Sequence, residues 1–141
     1  MQELSEKWVK RYPDLFDSDD VRILTTDHQR NYHFFERLSS VLLYESTGYF
    51  SLIEKYCAKS HPRKISLFSK LVPQEVFDFL MGAPSGHPDL FSFHNQTGDW
   101  FFCEVKGAKD RLTDNQIAMH AELESMTGRK VRVIQLDEMR L

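Results

Sequence analysis

The spacing of apolar residues changes near Gly82 and divides the chain into a helical part and a strand-rich part. Before Gly82, apolar side chains recur every three or four positions, which is typical of amphipathic helices. The clearest stripe comprises Phe34, Phe35, Leu38, Val41 and Leu42. It predicts a long helix from about His28 into the mid-forties, with Gly48 as its stop.

Shorter elements are predicted on both sides of this helix. Pro13, the acidic residues 17–20 and the polar residues 25–27 indicate a turn-rich segment before it. A second helix is predicted over residues 51–58, ended by His61-Pro62. A third begins at Pro73, which suits a first helical turn, and closes at Gly82.

After Gly82 the pattern is strand, strand, helix, strand. Residues 90–94 and 100–106 are aromatic-rich strands, and residues 95–99 form a hairpin turn between them. Thr113 is the N-cap of a helix that Gly128 ends, and residues 130–136 form a final strand. A strand-helix-strand crossover of this length implies a parallel pair. We therefore expect a single α/β domain over residues 1–141, mainly helical in 1–81 and carrying a mixed β-sheet in 82–141.

Composition narrows the class of protein. The chain has 141 residues, 41% hydrophobic and 28% charged, which is ordinary for a globular domain. No apolar run approaches the roughly 18 residues that span a bilayer, and the first residues lack a signal-peptide pattern, so a cytosolic location is expected. The two cysteines, Cys57 and Cys103, are too far apart to suggest a zinc site.

The net charge of −3 excludes a surface that is basic throughout. Affinity for nucleic acid must therefore be local. One basic stretch runs from Lys55 to Lys70 and is opposed only by Glu54, and a second is Arg129-Lys130-Val131-Arg132. Taken alone, either stretch is better explained as solvated surface charge.

The most informative motif is Gly86-His87-Pro88-Asp89-Leu90 followed by Glu104-Val105-Lys106-Gly107. Because side chains alternate along a strand, Glu104 and Lys106 lie on one face, with Phe102, whereas Phe101, Cys103 and Val105 lie on the other. An acid after a tight turn, joined by an acid and a lysine on a strand, can hold a divalent cation beside a phosphate. Separately, Asp89 could be a turn cap, and Glu104 with Lys106 a charge pair.

The joint pattern, extended through Asp110-Arg111-Leu112-Thr113 to Gln116, resembles the virus-type replication-repair nuclease (VRR-NUC) domain of the PD-(D/E)xK superfamily. It is similar to the C-terminal nuclease domain of Fanconi-associated nuclease. The resemblance covers roughly residues 82–136. It implies a restriction-endonuclease-like mixed sheet flanked by helices, with an N-terminal helical segment.

The resemblance also implies the site and its chemistry. Asp89, Glu104 and the backbone carbonyl of Val105 would bind Mg²⁺ or Mn²⁺, and Lys106 and Gln116 would complete the catalytic set. The residues assigned to DNA contact are Lys59, Arg63, Lys64 and Arg111. The expected partner is DNA, branched or flapped, with no membrane; a homodimer would engage two strands symmetrically.

Several points stay open at this level. The family supplies a further acid from its first helix, and Asn31, Glu36 and Glu45 are all candidates. Gln116 could face the site or form a capping box with Thr113, and these roles are compatible. Two rival functions are a non-catalytic DNA-binding module, which the intact acids argue against, and a small-substrate metal-dependent phosphoesterase.

Overall fold

A computed structural model describes residues 2–23 and 34–136 of the chain. The helices in these ranges are α1 Gln2–Arg11, α2 Ser18–Ile23, α3 Phe34–Thr47, α4 Pro62–Leu71, α5 Gln74–Gly82 and α6 Asp114–Thr127. The strands are β1 Phe50–Ile53, β2 Leu90–Phe93, β3 Trp100–Lys106 and β4 Arg132–Gln135.

The strands form one four-stranded mixed sheet in the order β1-β2-β3-β4. β1 and β3 both pair antiparallel with β2, whereas β3 and β4 are parallel. The α/β class, the hairpin and the parallel crossover are therefore confirmed. Helix α6 begins after the N-cap Thr113 and ends at Gly128, which adopts the left-handed conformation. Helix α5 ends at Gly82, as predicted.

Side-chain alternation gives the sheet two buried faces. One face packs on α4, α5 and α6 through Phe68, Val76, Phe91, Phe102 and Leu123. The opposite face packs on the N-terminal helices through Leu15, Val41, Leu90, Phe101 and Cys103. The strands are buried on both sides because helices cover both faces, which explains their nearly continuous apolar sequences.

The helix predicted over residues 51–58 is wrong. Residues 50–53 form strand β1, which pairs with β2. Ser51 is buried, and its hydroxyl lies 2.8 Å from that of Ser92 on the neighbouring strand. Pro62, interpreted as a helix breaker, instead lies in the first turn of α4, where its missing N–H removes no helical hydrogen bond.

The N-terminal segment also differs from expectation, because Ser18–Ile23 forms helix α2 where turns were predicted, and Gln2–Arg11 forms helix α1, for which no separate element was predicted. In the described residues α3 begins at Phe34, so its predicted start near His28 lies outside them. The predicted apolar stripe is only partly buried: Phe34 and Val41 are inside, whereas Phe35 and Leu42 are 43% and 46% exposed. Within residues 2–23 and 34–136, no helix is long and apolar enough to cross a membrane.

Candidate metal centre and active site

The register of the sheet brings acids from successive strands together. Ile53 pairs with Leu90, and Leu90 with Cys103, so the residues just beyond these pairs meet at the same end of the sheet. The backbone N–H of Glu54 donates to the carbonyl of Asp89 at 2.8 Å. Glu104 follows Cys103 on β3. Three carboxylates are thus aligned across neighbouring strands by strand pairing alone.

The loop before Asp89 is held on several sides. Gly86 has a φ of +88°, and a Cβ at this position would lie 2.8 Å from Nδ2 of Asn115, so glycine is required. The hydroxyl of Tyr56 donates to the carbonyl of Pro88 at 2.7 Å. Oδ2 of Asp89 then accepts the N–H of Val105 at 2.9 Å. This network fixes the Asp89 carboxylate against β3.

A second acid reaches Asp89 from α3. Carboxylate oxygens of Glu36, Glu54 and Asp89 all lie within 4.8 Å of one another. This arrangement favours Glu36 among the open candidates for the first-helix acid. Glu45 instead accepts a hydrogen bond from the hydroxyl of Tyr12, and Asn31 lies outside the described residues.

Its spacing from the apolar stripe would put Glu36 on the outer face of its helix, but the burial of α3 shows a second side that faces inward. Positions three and four residues apart share a helix face, so Glu36 lies with Ser39 and Ser40, both of which are fully buried. A face of small polar residues therefore packs inward alongside the apolar stripe, which hydrophobicity alone does not reveal.

Glu54 is a residue that sequence reasoning missed. Glu54 and Lys55 have φ angles of 45° and 52°, which non-glycine residues adopt uncommonly and at a cost of order 1–3 kcal/mol each. This left-handed turn ends β1 and leaves the Glu54 carboxylate beside Asp89. Only its position directly after a short apolar run was visible in the sequence.

Glu104 is the most enclosed of these acids, with 1% of its surface exposed. Gln116 Nε2 donates to one carboxylate oxygen at 3.3 Å, and His120 Nε2 lies 3.0 Å from the other. Gln116 also forms the capping box with Thr113, so both of its expected contacts occur together. His120 was not singled out, although its spacing of four residues from Gln116 places both on one face of α6.

Burial is the main influence on the pKa values of Asp89 and Glu104. It raises the pKa of Glu104 to about 9, and the hydrogen bond and negative charge of Asp89 act in the same direction. Burial also raises the pKa of Asp89, although Glu104 and the N–H of Val105 oppose this shift. Without a cation the pair therefore retains a proton near neutral pH.

The donor set fits a hard divalent cation. Carboxylate oxygens are the ligands that Mg²⁺ prefers, at about 2.0–2.1 Å, and two oxygens on one such ion lie at most about 4.2 Å apart. The oxygens of Glu36, Glu54 and Asp89, within 4.8 Å of one another, are close to this spacing. Their mutual repulsion is a cost that a cation would remove.

Comparison with known proteins gives the family. The family model described as the VRR-NUC domain matches residues 36–136, which begins at Glu36 and includes all four acids. The chain belongs to the VRR-NUC family. This is a family of nucleases, and the resemblance inferred from the motif is confirmed.

Among solved structures, the VRR-NUC chain is similar to a crystal structure of paFAN1 bound to DNA with a 2-nucleotide 5′ flap and a gap. The sequence identity is 19% and the TM-score is 0.37. The match covers 77% of this chain but 25% of the other. No curated protein matches the chain in sequence.

The residues assigned to DNA contact lie in different environments in this VRR-NUC chain. Lys64 is 2% exposed, and its ammonium group donates to Asp20 at 2.9 Å and to the carbonyl of Ile53 at 2.6 Å. The assignment of Lys64 to DNA is therefore corrected: its charge is neutralised inside the fold. Arg63 is exposed and forms an ion pair with Asp17. Lys59 and Arg111 are exposed.

The raised pKa of Glu104 predicts how stability depends on pH. The metal-free folded protein keeps a proton that the unfolded chain releases above its ordinary pKa of 4.5, so this stabilisation is complete below 4.5 and is lost as pH approaches about 9. We expect the Tm in EDTA to fall from about pH 6 to about pH 8.5, and Glu104→Gln to reduce this fall. Thermal unfolding across the range measures it.

The exposed Glu122 on the same helix as Gln116 and His120 provides the control for this experiment. Glu122→Gln should leave the pH profile of the Tm as it is in the parent protein. An unchanged profile in Glu104→Gln would show that Glu104 is ionised in the metal-free fold.

Proposed function

We propose that this chain is a divalent-metal-dependent endonuclease that hydrolyses phosphodiester bonds of DNA, with branched or flapped DNA as its substrate. The observation that carries the proposal is the convergence of Glu36, Glu54 and Asp89 from separate elements within 4.8 Å. Asp89 adds a hydrogen bond to the buried Glu104, and Lys106 follows on the same strand face. Membership of a nuclease family supports this proposal.

In this proposal Asp89 and Glu104 hold Mg²⁺ or Mn²⁺, and the further oxygen donors are the Val105 carbonyl and the carboxylates of Glu36 and Glu54, which lie within 4.8 Å of that of Asp89. When bound, the metal supplies a more acidic water and neutralises charge on the phosphoryl oxygens. The Val105 N–H orients Asp89, and Gln116 with His120 orients Glu104. Such supporting contacts fix ligand geometry before the cation arrives.

In this proposal Lys106 stabilises the negative charge that develops during the reaction. It lies two residues after Glu104 on the same face, and its positive charge opposes the rise in the pKa of Glu104. A lysine is a compact charge on a flexible stem. It can therefore approach the attacking water or the phosphoryl oxygens from several directions, whereas the planar guanidinium group of arginine has a fixed donor geometry.

In this proposal DNA approaches the acids between basic side chains that flank them. Lys59 lies in the loop between β1 and α4, and Arg111 lies in the loop between β3 and α6; both are exposed. Arg63 is four residues after Lys59 in the sequence, but its ion pair with Asp17 makes it less available to bind a phosphate. We call Lys59, Arg63 and Arg111 together the DNA track. A local group of basic residues is compatible with the net negative charge of the whole chain.

The deciding experiment compares flapped, branched and linear duplex DNA and a small phosphodiester, each with Mg²⁺, Mn²⁺ or EDTA. Metal-dependent cutting of DNA, faster on flapped or branched forms, is the expected result. DNA binding without cutting would support a non-catalytic module. Turnover of the small diester alone would support a phosphoesterase.

Salt dependence tests the DNA track. Replacing Lys59, Arg63 and Arg111 with glutamine should weaken binding similarly across sequences, and the removal of each phosphate contact should lower the slope of log K against log salt by about 0.9. Binding titrations at several salt concentrations measure this. Lys130→Gln changes an exposed lysine near the other end of β3 and should leave the slope intact. An unchanged slope in the triple variant would contradict the track.

A further inference from the structure

A cavity of about 360 Å³ lies between the loop after β1 and the end of α5. Its lining is largely apolar and includes Tyr56, Cys57, Leu80, Met81, Ala83 and Pro88. Two contacts hold its walls: the Tyr56 hydroxyl donates to Pro88, and Nε2 of His87 lies 2.6 Å from the carbonyl of Leu80. The cavity is therefore built into the fold.

This cavity adjoins the acid cluster. Glu54 belongs to both, and Pro88 in the cavity wall directly precedes Asp89. A phosphate held at the acids would consequently place its own nucleotide at the mouth of the cavity. The part of a nucleotide that extends beyond its phosphate and sugar is the base.

The charge of the lining indicates what the cavity accepts. Glu54 and Lys55 contribute opposite charges, and the remaining walls are mostly apolar. With one carboxylate and one ammonium group, these two residues give the lining no net positive charge to attract a second phosphate. Apolar walls with a few polar groups are typical of sites for flat, neutral ligands, in cavities of about 300–1,000 Å³.

We propose, as an extension of the nuclease function above, that this cavity receives one unpaired nucleobase adjacent to the phosphate that is cut. A base within a duplex is stacked and paired, and extracting it costs a few kcal/mol. DNA that already has an unpaired nucleotide at the cut site avoids this cost. The cavity would thus be a physical source of selectivity for flaps and branches.

The test moves a single abasic nucleotide, position by position, across the cut site of a flap substrate. Equilibrium binding in Ca²⁺ and single-turnover cleavage in Mg²⁺ are measured for each substrate. At one position we expect binding to weaken by roughly 5- to 100-fold, the range for removing one stacked base. Ala83→Trp and Cys57→Phe fill the cavity, and either folded variant should bind intact and abasic DNA equally.

The turn between β2 and β3 provides a matched control. Gln96→Trp adds the same side chain at an exposed position near the opposite end of the sheet, and this variant should keep the abasic effect. Absence of cutting on any DNA would overturn the nuclease function. Cutting without a position-specific abasic effect, or an abasic effect that persists in both filled variants, would overturn the cavity proposal alone.

A separate observation concerns Lys64. Its ammonium group bridges Asp20 on α2 and the carbonyl of Ile53, the last residue of β1. Glu54 follows immediately, in the left-handed turn beside Asp89. Asp20 precedes the matched residues 36–136. A buried charge pair therefore ties an N-terminal helix to the backbone that carries Glu54.

We infer that Lys64, together with Asp20, is a positioning residue for the metal centre. Asp20 also accepts the backbone N–H of Asp17, and its charge opposes the lowering of the pKa of the buried Arg37, so the test keeps a polar side chain at position 20. The test variant is Lys64→Met with Asp20→Asn, which removes both charges of the pair and should remain folded in EDTA. It should weaken Mg²⁺ affinity and lower kcat by about 10- to 100-fold, as the removal of supporting contacts commonly does.

Mg²⁺ affinity is measured by calorimetry, and KM for DNA is expected to stay unchanged. Ser51→Ala with Ser92→Ala is the control, because it also removes a buried polar pair that involves β1, and it should leave Mg²⁺ affinity unaltered. Asp20→Asn alone, which keeps an acceptor for Lys64, should have an intermediate effect and serves if the double variant fails to fold. Parental Mg²⁺ affinity in the folded double variant, or in Asp20→Asn, would overturn the inference.

Discussion

Replacing Asp89 with asparagine is expected to abolish cleavage of DNA in both Mg²⁺ and Mn²⁺. Asp89 is the central acid: it meets Glu36 and Glu54 within 4.8 Å and is hydrogen-bonded to Glu104. Asparagine retains an oxygen for the N–H of Val105 but loses the charge that a cation requires. The expected loss in single-turnover rate exceeds about a hundredfold, since it removes charge stabilisation at the reacting centre.

Stability separates this loss from misfolding. Because Asp89 is a half-buried acid close to the carboxylates of Glu36 and Glu54 in the metal-free protein, Asp89→Asn should leave the Tm in EDTA unchanged or higher. The rise in Tm on adding Mg²⁺ should disappear. Asp99→Asn is the control, since Asp99 binds Tyr49 and Arg129 near the other end of β3. Full activity of Asp89→Asn in Mg²⁺ would contradict the proposed metal centre.

The strand-borne part of the site could be predicted because it is local. Asp89 directly precedes β2 and Glu104 lies on β3, two paired strands joined by a short hairpin, and strand alternation places Glu104 and Lys106 on one face. Turn residues and aromatic strands encode this arrangement within some twenty positions of sequence. Gln116 was also accessible, because a capping box is a pattern of two residues three positions apart.

Glu36, Glu54 and Lys64 could not be placed from the sequence because long-range packing decides their positions. The orientation of Glu36 depends on α3 burying small serines as well as its apolar stripe. Glu54 depends on residues 50–53 forming a strand, a pattern too short to distinguish from a helix. Lys64 was assigned to DNA contact because its buried partner, Asp20, is 44 positions away in the sequence.

These errors share a physical origin. Apolar periodicity reports which side chains avoid water, and it says nothing of polar groups that are buried with partners. Around the candidate site the partners are a carbonyl, carboxylates and a histidine, contributed by α2, β1, β3 and α6. A functional centre collects such groups, so it is where sequence patterns are least informative.

Replacing Lys106 with alanine is expected to separate binding from chemistry. If the ammonium group acts on charge that develops during attack, its loss should lower the single-turnover rate by about a hundredfold or more while the Kd for DNA in Ca²⁺ changes little. Lys109→Ala, at an exposed lysine in the following loop, should alter neither strongly. A near-parental rate in Lys106→Ala, or a loss fully explained by weaker DNA binding, would make Lys106 a phosphate anchor. Retention of Mg²⁺ affinity in the slow variant would show that the acids bind the metal without Lys106. The slow rate would then result from the loss of the lysine charge itself.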